Sequence, residues 1–362
     1  MKIGIDGSRA FLKQRTGIEE YSYQVIRRLR TRLKDHRVIL YLRGTQKVDF
    51  SLPKNWRIKR IYFPRLWTQL GLSLELFLYP VDVLFIPAHT VPLFHPKKTI
   101  VTVHGLEYEI MPEAYSIFER FYMRLSIKSS CRWANKIISV SRNTKTDLIN
   151  LYEVPEEKIN LVYEGYDNKT KELDLNSDEA NEVINLKPYL LFIGRLEKRK
   201  NILGIVEAFD LFKQKTNSKH KLVLGGKFGY REKEIKKRIE KSEYKKDIIL
   251  VGFVADAKKW CLYKNAEVFL FPTFYEGFGL PVLEAQSQGV PVITSNTSAL
   301  PEVSGGSAFL VDPSEPKLIA DAIITLTQDK KITKDIINKG YENIKRFSWN
   351  NCADLIAKVL TE

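Results

Sequence analysis

Cysteine is scarce in this sequence. Its 362 residues hold three, Cys131, Cys261 and Cys352. Widely spaced and odd in number, they offer neither a disulfide framework nor the close pairs of a zinc site. A reducing cytoplasm is the expected setting. Long apolar runs are missing too: the best stretch, residues 66–94, is interrupted by Glu75, Pro80, Asp82, Pro87 and Pro92, which a membrane-spanning helix would not accept. The start, Met1-Lys2-Ile3-Gly4-Ile5-Asp6, reads as a strand rather than as a charged, apolar and cleavable leader, so no export signal is expected. There is no D-x-D, no grouping of His and Asp at ligand spacing, no internal repeat and no heptad pattern, so a metal site is not expected.

What remains is a folded, soluble composition. Apolar residues make up 44% and charged residues 28% of the chain, near the averages of globular proteins. The formal charge is +15, and most of the excess sits early: residues 1–165 hold 27 Lys and Arg against 16 Asp and Glu. Such asymmetry points either to an anionic partner (a membrane surface, a lipid-linked phosphate or a nucleic acid) or to a solvated lysine-rich face.

Short apolar runs at 3–6, 38–42, 83–86, 100–103 and 137–140 read as buried parallel strands, and the stretches 18–33 and 118–134 between them read as amphipathic helices. The alternation stops over a polar stretch holding Asn168, Lys169, Thr170, Asp174, Asn176, Ser177 and Asp178. It resumes with runs at 189–193, 221–224, 248–251, 268–271, 290–294 and 308–311. The expected fold class is α/β, with two Rossmann-like, doubly wound domains. Residues 1–165 form the first and 188–345 the second, with a linker over 166–187. Residues 346–362 carry an amphipathic helix with no strand after it, free to dock outside its own domain.

The most informative segment is Glu276-Gly277-Phe278-Gly279-Leu280-Pro281-Val282-Leu283-Glu284-Ala285. It reads as a loop leading from a buried strand into a helix. Gly277 and Gly279 permit positive φ or close approach to a ligand, and Pro281 suits the helix start, where its missing N–H costs nothing. Free N–H groups there make an anion site suited to a pyrophosphate. Glu284, expected in the first turn, can grip the vicinal hydroxyls of a ribose, or simply favour the helix dipole; Glu276 can hold hydroxyls of a transferred sugar.

The E-x7-E spacing around G-F-G-L-P resembles the signature of the family 4 retaining glycosyltransferases, which have the GT-B fold. That resemblance implies two domains facing a cleft, a terminal helix crossing back to the first domain, and a nucleotide-diphosphate sugar as donor with no cofactor. Gly194-Arg195-Leu196 with Lys200-Asn201 is similar to the family's G-R-x-x-x-x-K-N loop. Arg195 and Lys200 would then clamp the donor phosphates, a sound use of cations where a diphosphate departs. Gly225-Gly226 and Ala299-Leu300-Pro301-Glu302-Val303 resemble further segments of the same domain. In the first domain, Thr16-Gly17-Ile18 resembles the family's glycine loop, with the Gly17 N–H toward the donor phosphates. Where the family continues G-I-G-R-Y, this chain has Glu19 and Glu20: either Glu19 meets an acceptor hydroxyl, or both are first-turn acids favoured by the helix dipole. His104 stands where the family has a histidine beside the transferred sugar, although Gly105 replaces the usual aspartate. The implied chemistry is metal-independent front-face transfer, with Glu276, Arg195, Lys200 and His104 as its working residues.

Arg120, Arg124, Lys128, Arg132 and Lys136 recur every four residues, so five cations are expected in one stripe along a helix. The stripe is either a solvated face or a contact for anionic lipid head groups, placing the protein peripherally on the inner face of a membrane. Among donors, GDP-mannose is the first choice on resemblance to bacterial polysaccharide mannosyltransferases and glucosyltransferases, with UDP-glucose or another UDP-sugar as alternative. The acceptor class is a polysaccharide, an oligosaccharide or a lipid-linked saccharide. Two rival classes were weighed: a glycoside hydrolase using Glu276 and Glu284 as acid and base, and a basic nucleic-acid-binding protein, for which no recognition motif is present. No nucleic acid is expected as a partner.

Overall fold

A computed structural model describes residues 1–12, 14–167 and 182–362. The polar residues expected to link the domains, Asn168 to Asp178, lie outside the described residues. The chain forms two compact units: Met1–Glu109 with Ile117–Gly165 and Phe347–Glu362, and Ile110–Ser116 with Tyr166–Arg346.

The first unit is built on seven parallel strands: β1 (Lys2–Asp6), β2 (Arg37–Arg43), β3 (Trp56–Ile61), β4 (Val83–Ile86), β5 (Lys98–Val103), β6 (Lys136–Ser139) and β7 (Ile159–Leu161), in the order 3-2-1-4-5-6-7. Winding runs outward both ways from the β1/β4 pair, which is where such sheets present ligand sites at their carboxyl ends. β4, Val-Leu-Phe-Ile, is buried at every position, as a central parallel strand should be. The edge strands β3 and β7 escaped the sequence pattern. β3 reads Trp-Arg-Ile-Lys-Arg-Ile with only its two ends buried, because an edge strand half open to water tolerates charge.

The helix Gly17–Arg32 buries Tyr21, Val25, Ile26 and Leu29. Against it lies the last helix, Trp349–Thr361, capped by the Ser348 side chain and burying Trp349, Cys352, Ala353 and Ile356. Arg32 Nε donates to Asp354 at 2.7 Å. The terminal segment thus belongs to the first unit, as the terminal-helix pattern anticipates. Its docking depends on Gly165: a Cβ there would come within 2.0 Å of the Trp349 nitrogen.

The helix Ile117–Trp133 carries Arg120, Arg124, Lys128 and Arg132. Lys136 does not join them. It opens β6, and its ammonium donates to the Glu157 carbonyl at 2.9 Å. The helix ends at Trp133, so the four-residue spacing outlives the helical geometry that would align it.

The second unit holds six parallel strands: β8 (Tyr189–Ile193), β9 (Lys221–Gly225), β10 (Ile248–Gly252), β11 (Val268–Phe271), β12 (Val292–Ser295) and β13 (Phe309–Val311), in the order 10-9-8-11-12-13. The winding reverses at β8/β11. Its core includes Phe192, Phe209, Phe212, Phe269 and Phe271, all fully or almost fully buried. Residues 110–116, though early in the chain, group with this unit: Met111 and Ala114 pack with Tyr275. No described helix is long and apolar enough to cross a membrane.

Candidate functional site

Two chain segments leave the second sheet at its switch point, one from β8 and one from β11, and each carries residues singled out in the sequence. After β8, Gly194 lies against Gly226, whose φ is +145° and whose Cβ, if it had one, would stand 1.7 Å from the Gly194 oxygen. Only glycine fits that contact. Lys198–Lys200 then form one tight turn. Asn201 follows in the left-handed region with φ 57°, an unfavourable state for a residue with a side chain. Its buried amide offsets this by donating to the carbonyls of Pro272 at 3.0 Å and Pro313 at 2.6 Å. Asn201 thereby ties the first segment to the second.

After β11, the chain passes Pro272 and Tyr275 to Glu276, whose side chain is 11% exposed. Lys200 donates to the Glu276 carboxylate. Arg199 approaches the same oxygen at 3.4 Å, and also donates to the Tyr275 carbonyl at 2.9 Å and to Glu197 at 3.0 Å. Burial pushes the Glu276 carboxyl up, but Lys200 and then Arg199 outweigh it and hold the group below the usual carboxylate range. Burial, with the neighbouring Arg199, lowers Lys200 from the ordinary lysine value, although Glu276 pulls the other way. Two largely buried cations therefore share one ionised carboxylate.

This modifies the expected phosphate clamp. Lys200 is engaged by Glu276, and the second buried cation is Arg199, a residue that the expected clamp did not include. Arg195 stands apart: its side chain is 68% exposed and its nearest acid is Glu197 at 3.9 Å. The structure thus separates a buried pair that orders Glu276 from an exposed cation with room to meet a ligand.

Beyond Glu276, Phe278 is buried and Gly279 takes φ +116°, a conformation closed to other residues without strain. The helix Leu280–Ser287 starts immediately, with Pro281 as its second residue. Glu284 is the fifth helical residue, so it belongs to the second turn rather than the first. The helix-dipole explanation for Glu284 therefore loses its basis. Its carboxylate instead accepts from Lys259 at 2.7 Å and from the Tyr263 hydroxyl at 3.0 Å. Both partners come from the helix Asp256–Asn265, one turn apart on one face. No sequence motif marked them.

In the first unit, Thr16 precedes the helix opened by Gly17. Glu19 accepts from the Thr16 backbone N–H at 3.1 Å and pairs with Arg9 at 3.5 Å, so this first-turn acid is engaged in capping the helix start. A Cβ added at Gly17 would meet nothing within 4 Å, which leaves its backbone open to approach. Four residues on, the ring of Tyr21 lies edge-on to His104 at 4.6 Å, bringing helix and histidine together. The His104 ring is held from both sides: Nε2 lies 2.9 Å from the Pro87 carbonyl and Nδ1 lies 3.2 Å from the Glu164 carboxyl. A sugar hydroxyl at either nitrogen would have to displace one of these partners.

A glycine turn into a helix at the second unit's switch point, beside a carboxylate fixed by cations, is the arrangement expected of a nucleotide-sugar site, and comparison with known proteins points to the same class of enzyme. Residues 176–343 match the family described as Glycosyl transferases group 1, and residues 15–169 match Glycosyltransferase Family 4. An O-antigen chain mannosyltransferase B of Escherichia coli is 32% identical over 268 residues, covering 71% of this chain and 68% of that one. A serotype-specific mannosyltransferase WbdA of the same species is 25% identical over 285 residues, covering 76% of this chain; the match spans only 34% of the relative's length. HepE of Anabaena, solved in complex with UDP-glucose, superposes with TM-score 0.73 at 18% identity, over 100% of this chain and 99% of that one. The chain belongs to the glycosyltransferases of this family and has their GT-B fold.

Proposed function

We propose that the chain transfers a hexose, with mannose the first choice, from a nucleotide-diphosphate donor to a polysaccharide, oligosaccharide or lipid-linked acceptor, with retention and without a metal ion. The observation that carries this reading is Glu276 held ionised by Lys200 and Arg199 beside the Gly279 turn. Mannose is favoured by the two Escherichia coli relatives, both named as mannosyltransferases. The UDP-glucose in the HepE complex keeps a UDP-sugar as the second reading.

In this mechanism the bond between the anomeric carbon and the diphosphate oxygen breaks, and charge grows on the leaving group. Arg195 and the start of the Leu280–Ser287 helix oppose that charge. Lys200 has three ammonium hydrogens and one carboxylate partner, so it can reach a phosphate oxygen while keeping Glu276 in place. The acceptor hydroxyl attacks from the face the diphosphate leaves, and its proton passes to the departing phosphate oxygen. Glu276 orients the sugar hydroxyls, and Glu284 takes the ribose.

The hydrolase alternative fares poorly on chemical grounds. A general acid needs a raised pKa, and Glu276 is held in the opposite direction. The test is transfer of radiolabelled hexose from GDP-mannose and from UDP-glucose to a membrane extract, with and without EDTA. Transfer from one donor that survives EDTA supports the proposal. Release of free hexose at the same rate without acceptor contradicts it.

A further inference from the structure

The chemistry above leaves unused a cavity of about 570 Å³ in the first unit, between the C-terminal half of the Ile117–Trp133 helix and the Tyr152–Lys158 segment. Its walls include Phe121, Leu125, Val154 and Pro155, and its rim carries Lys128 and Arg132. Two other cations there are already committed. Arg124 pairs with Glu109 at 3.0 Å, and Lys158 donates to the carbonyls of Cys131 at 2.7 Å and Arg132 at 3.0 Å, closing the helix end. Lys128 has a ring contact with Tyr152 at 5.8 Å, and neither it nor Arg132 has a carboxylate partner among the described residues. Glu153 is the one acid lining the cavity.

The same helix exposes an apolar patch toward its start. Ile117 is 90% exposed, Phe118 78% and Phe121 65%, with Tyr122 and Leu125 also exposed. At helical spacing these residues form one band, and Arg124, Lys128 and Arg132 form a second beside it. An apolar band flanked by cations, of which Lys128 and Arg132 have no carboxylate partner among the described residues, is the pattern of a surface that lies in a bilayer interface. A free anion in water would need the cations and would gain nothing from the rings or the apolar wall.

We propose that this cavity seats the head group of an anionic phospholipid, with the phosphate between Lys128 and Arg132 and the glycerol and upper acyl carbons against Phe121 and Leu125, while Ile117 and Phe118 enter the bilayer. The inference bears on the lipid-linked acceptor of the proposed function and holds whether or not the donor reading does.

The test is cosedimentation of the full chain with vesicles of phosphatidylcholine alone or mixed with phosphatidylglycerol. Both cations are exposed, so K128Q with R132Q should fold, and unchanged melting would check it. The double variant should bind the mixed vesicles about thirtyfold more weakly, at roughly 1 kcal/mol per cation near an anionic surface. K233Q with K237Q, which removes the same charge from the second unit, should bind like the wild type, and F118S should weaken binding without removing its dependence on phosphatidylglycerol. Equal loss in the K233Q/K237Q control, equal binding to both vesicle types, or equal competition by inorganic phosphate and a short-chain phosphatidylglycerol would overturn the proposal. GDP and UDP binding, measured on the same variants, should stay at the wild-type level and reports separately on the donor site.

Discussion

Lys259 and Tyr263, one helical turn apart, both donate to the carboxylate of Glu284, at 2.7 and 3.0 Å. The carboxylate is therefore held in one orientation, so a ribose bound there, as proposed, would cost little reordering. Removing it should remove a charged acceptor for the ribose hydroxyls. Glu284→Ala is expected to weaken nucleotide diphosphate binding by roughly tenfold to a hundredfold, the range for hydrogen bonds to a charged group, as read by titration calorimetry. Lys259→Met should cost less, because Tyr263 still orients the carboxylate. Equal affinity in wild type and Glu284→Ala would remove Glu284 from the donor site.

Lys200 and Arg199 divide the work around Glu276. Lys200→Met leaves the carboxylate to Arg199 and removes one cation able to reach a phosphate. A fall in kcat of roughly a hundredfold to a thousandfold is expected, comparable to losing one electrostatic stabiliser of a developing anion. Arg195→Gln should act mainly through donor binding and leave the melting temperature within a degree or so, since the side chain is largely exposed. Marked thermal destabilisation by Arg195→Gln would show that the residue is structural.

The site's protonation sets a pH window. Glu276 titrates below the usual carboxylate range, so the stability it contributes is present above the unfolded-state pKa and is lost as pH falls through the lower, folded value. Lys200 is lowered from 10.5, so its charge is lost at a lower pH than for a free lysine. Activity should therefore stay flat through mild acid and fall on the alkaline side before pH 10.5. A pH profile of kcat/KM checks this, and Lys200→Met should abolish the alkaline limb.

His89 gives an independent acid limb for stability. Burial, with lesser contributions from His104 and Arg9, lowers its pKa from 6.5 to about 3. Part of the residue's surface stays accessible, but Nδ1 is buried without a hydrogen-bond partner among the described residues. The unfolded chain binds the proton more readily, so this contribution is intact above pH 6.5 and drains away as pH falls toward about 3. His89→Gln should flatten the loss of melting temperature over that interval relative to the wild type.

Much of this fold was legible because central parallel strands are apolar throughout: the runs at 83–86, 189–193 and 268–271 coincide with β4, β8 and β11. The edge strand β3 was not, since its charged residues face water and mask the pattern. The glutamates and glycines of the candidate site stand out in the sequence because they are close together and each has a backbone or charge requirement. Arg199, Lys259 and Tyr263 were not, because what distinguishes them is a partner 77, 25 or 21 residues away. The stripe ending in Lys136 shows the converse: regular spacing carries meaning only as far as the helix extends. The Ile110–Ser116 segment likewise carries no sequence sign that it packs with Tyr275.

Gly165 makes one prediction about assembly of the first unit. Because a Cβ there would collide with the Trp349 backbone, Gly165→Ala should loosen the Trp349–Thr361 helix from the Gly17–Arg32 helix. Hydrogen exchange should rise selectively over residues 349–361, with a stability loss of roughly 2 kcal/mol, typical of overpacking that forces a backbone shift.

The central claim is a nucleotide-diphosphate site ordered by Glu276 and Glu284, and titration calorimetry with GDP and UDP, in the presence of EDTA, tests it most directly. Binding of one of the two by the wild type, weakened at least tenfold in Glu284→Ala, is the expected result. No binding of either by a folded protein, or binding that disappears on adding EDTA, would contradict the account.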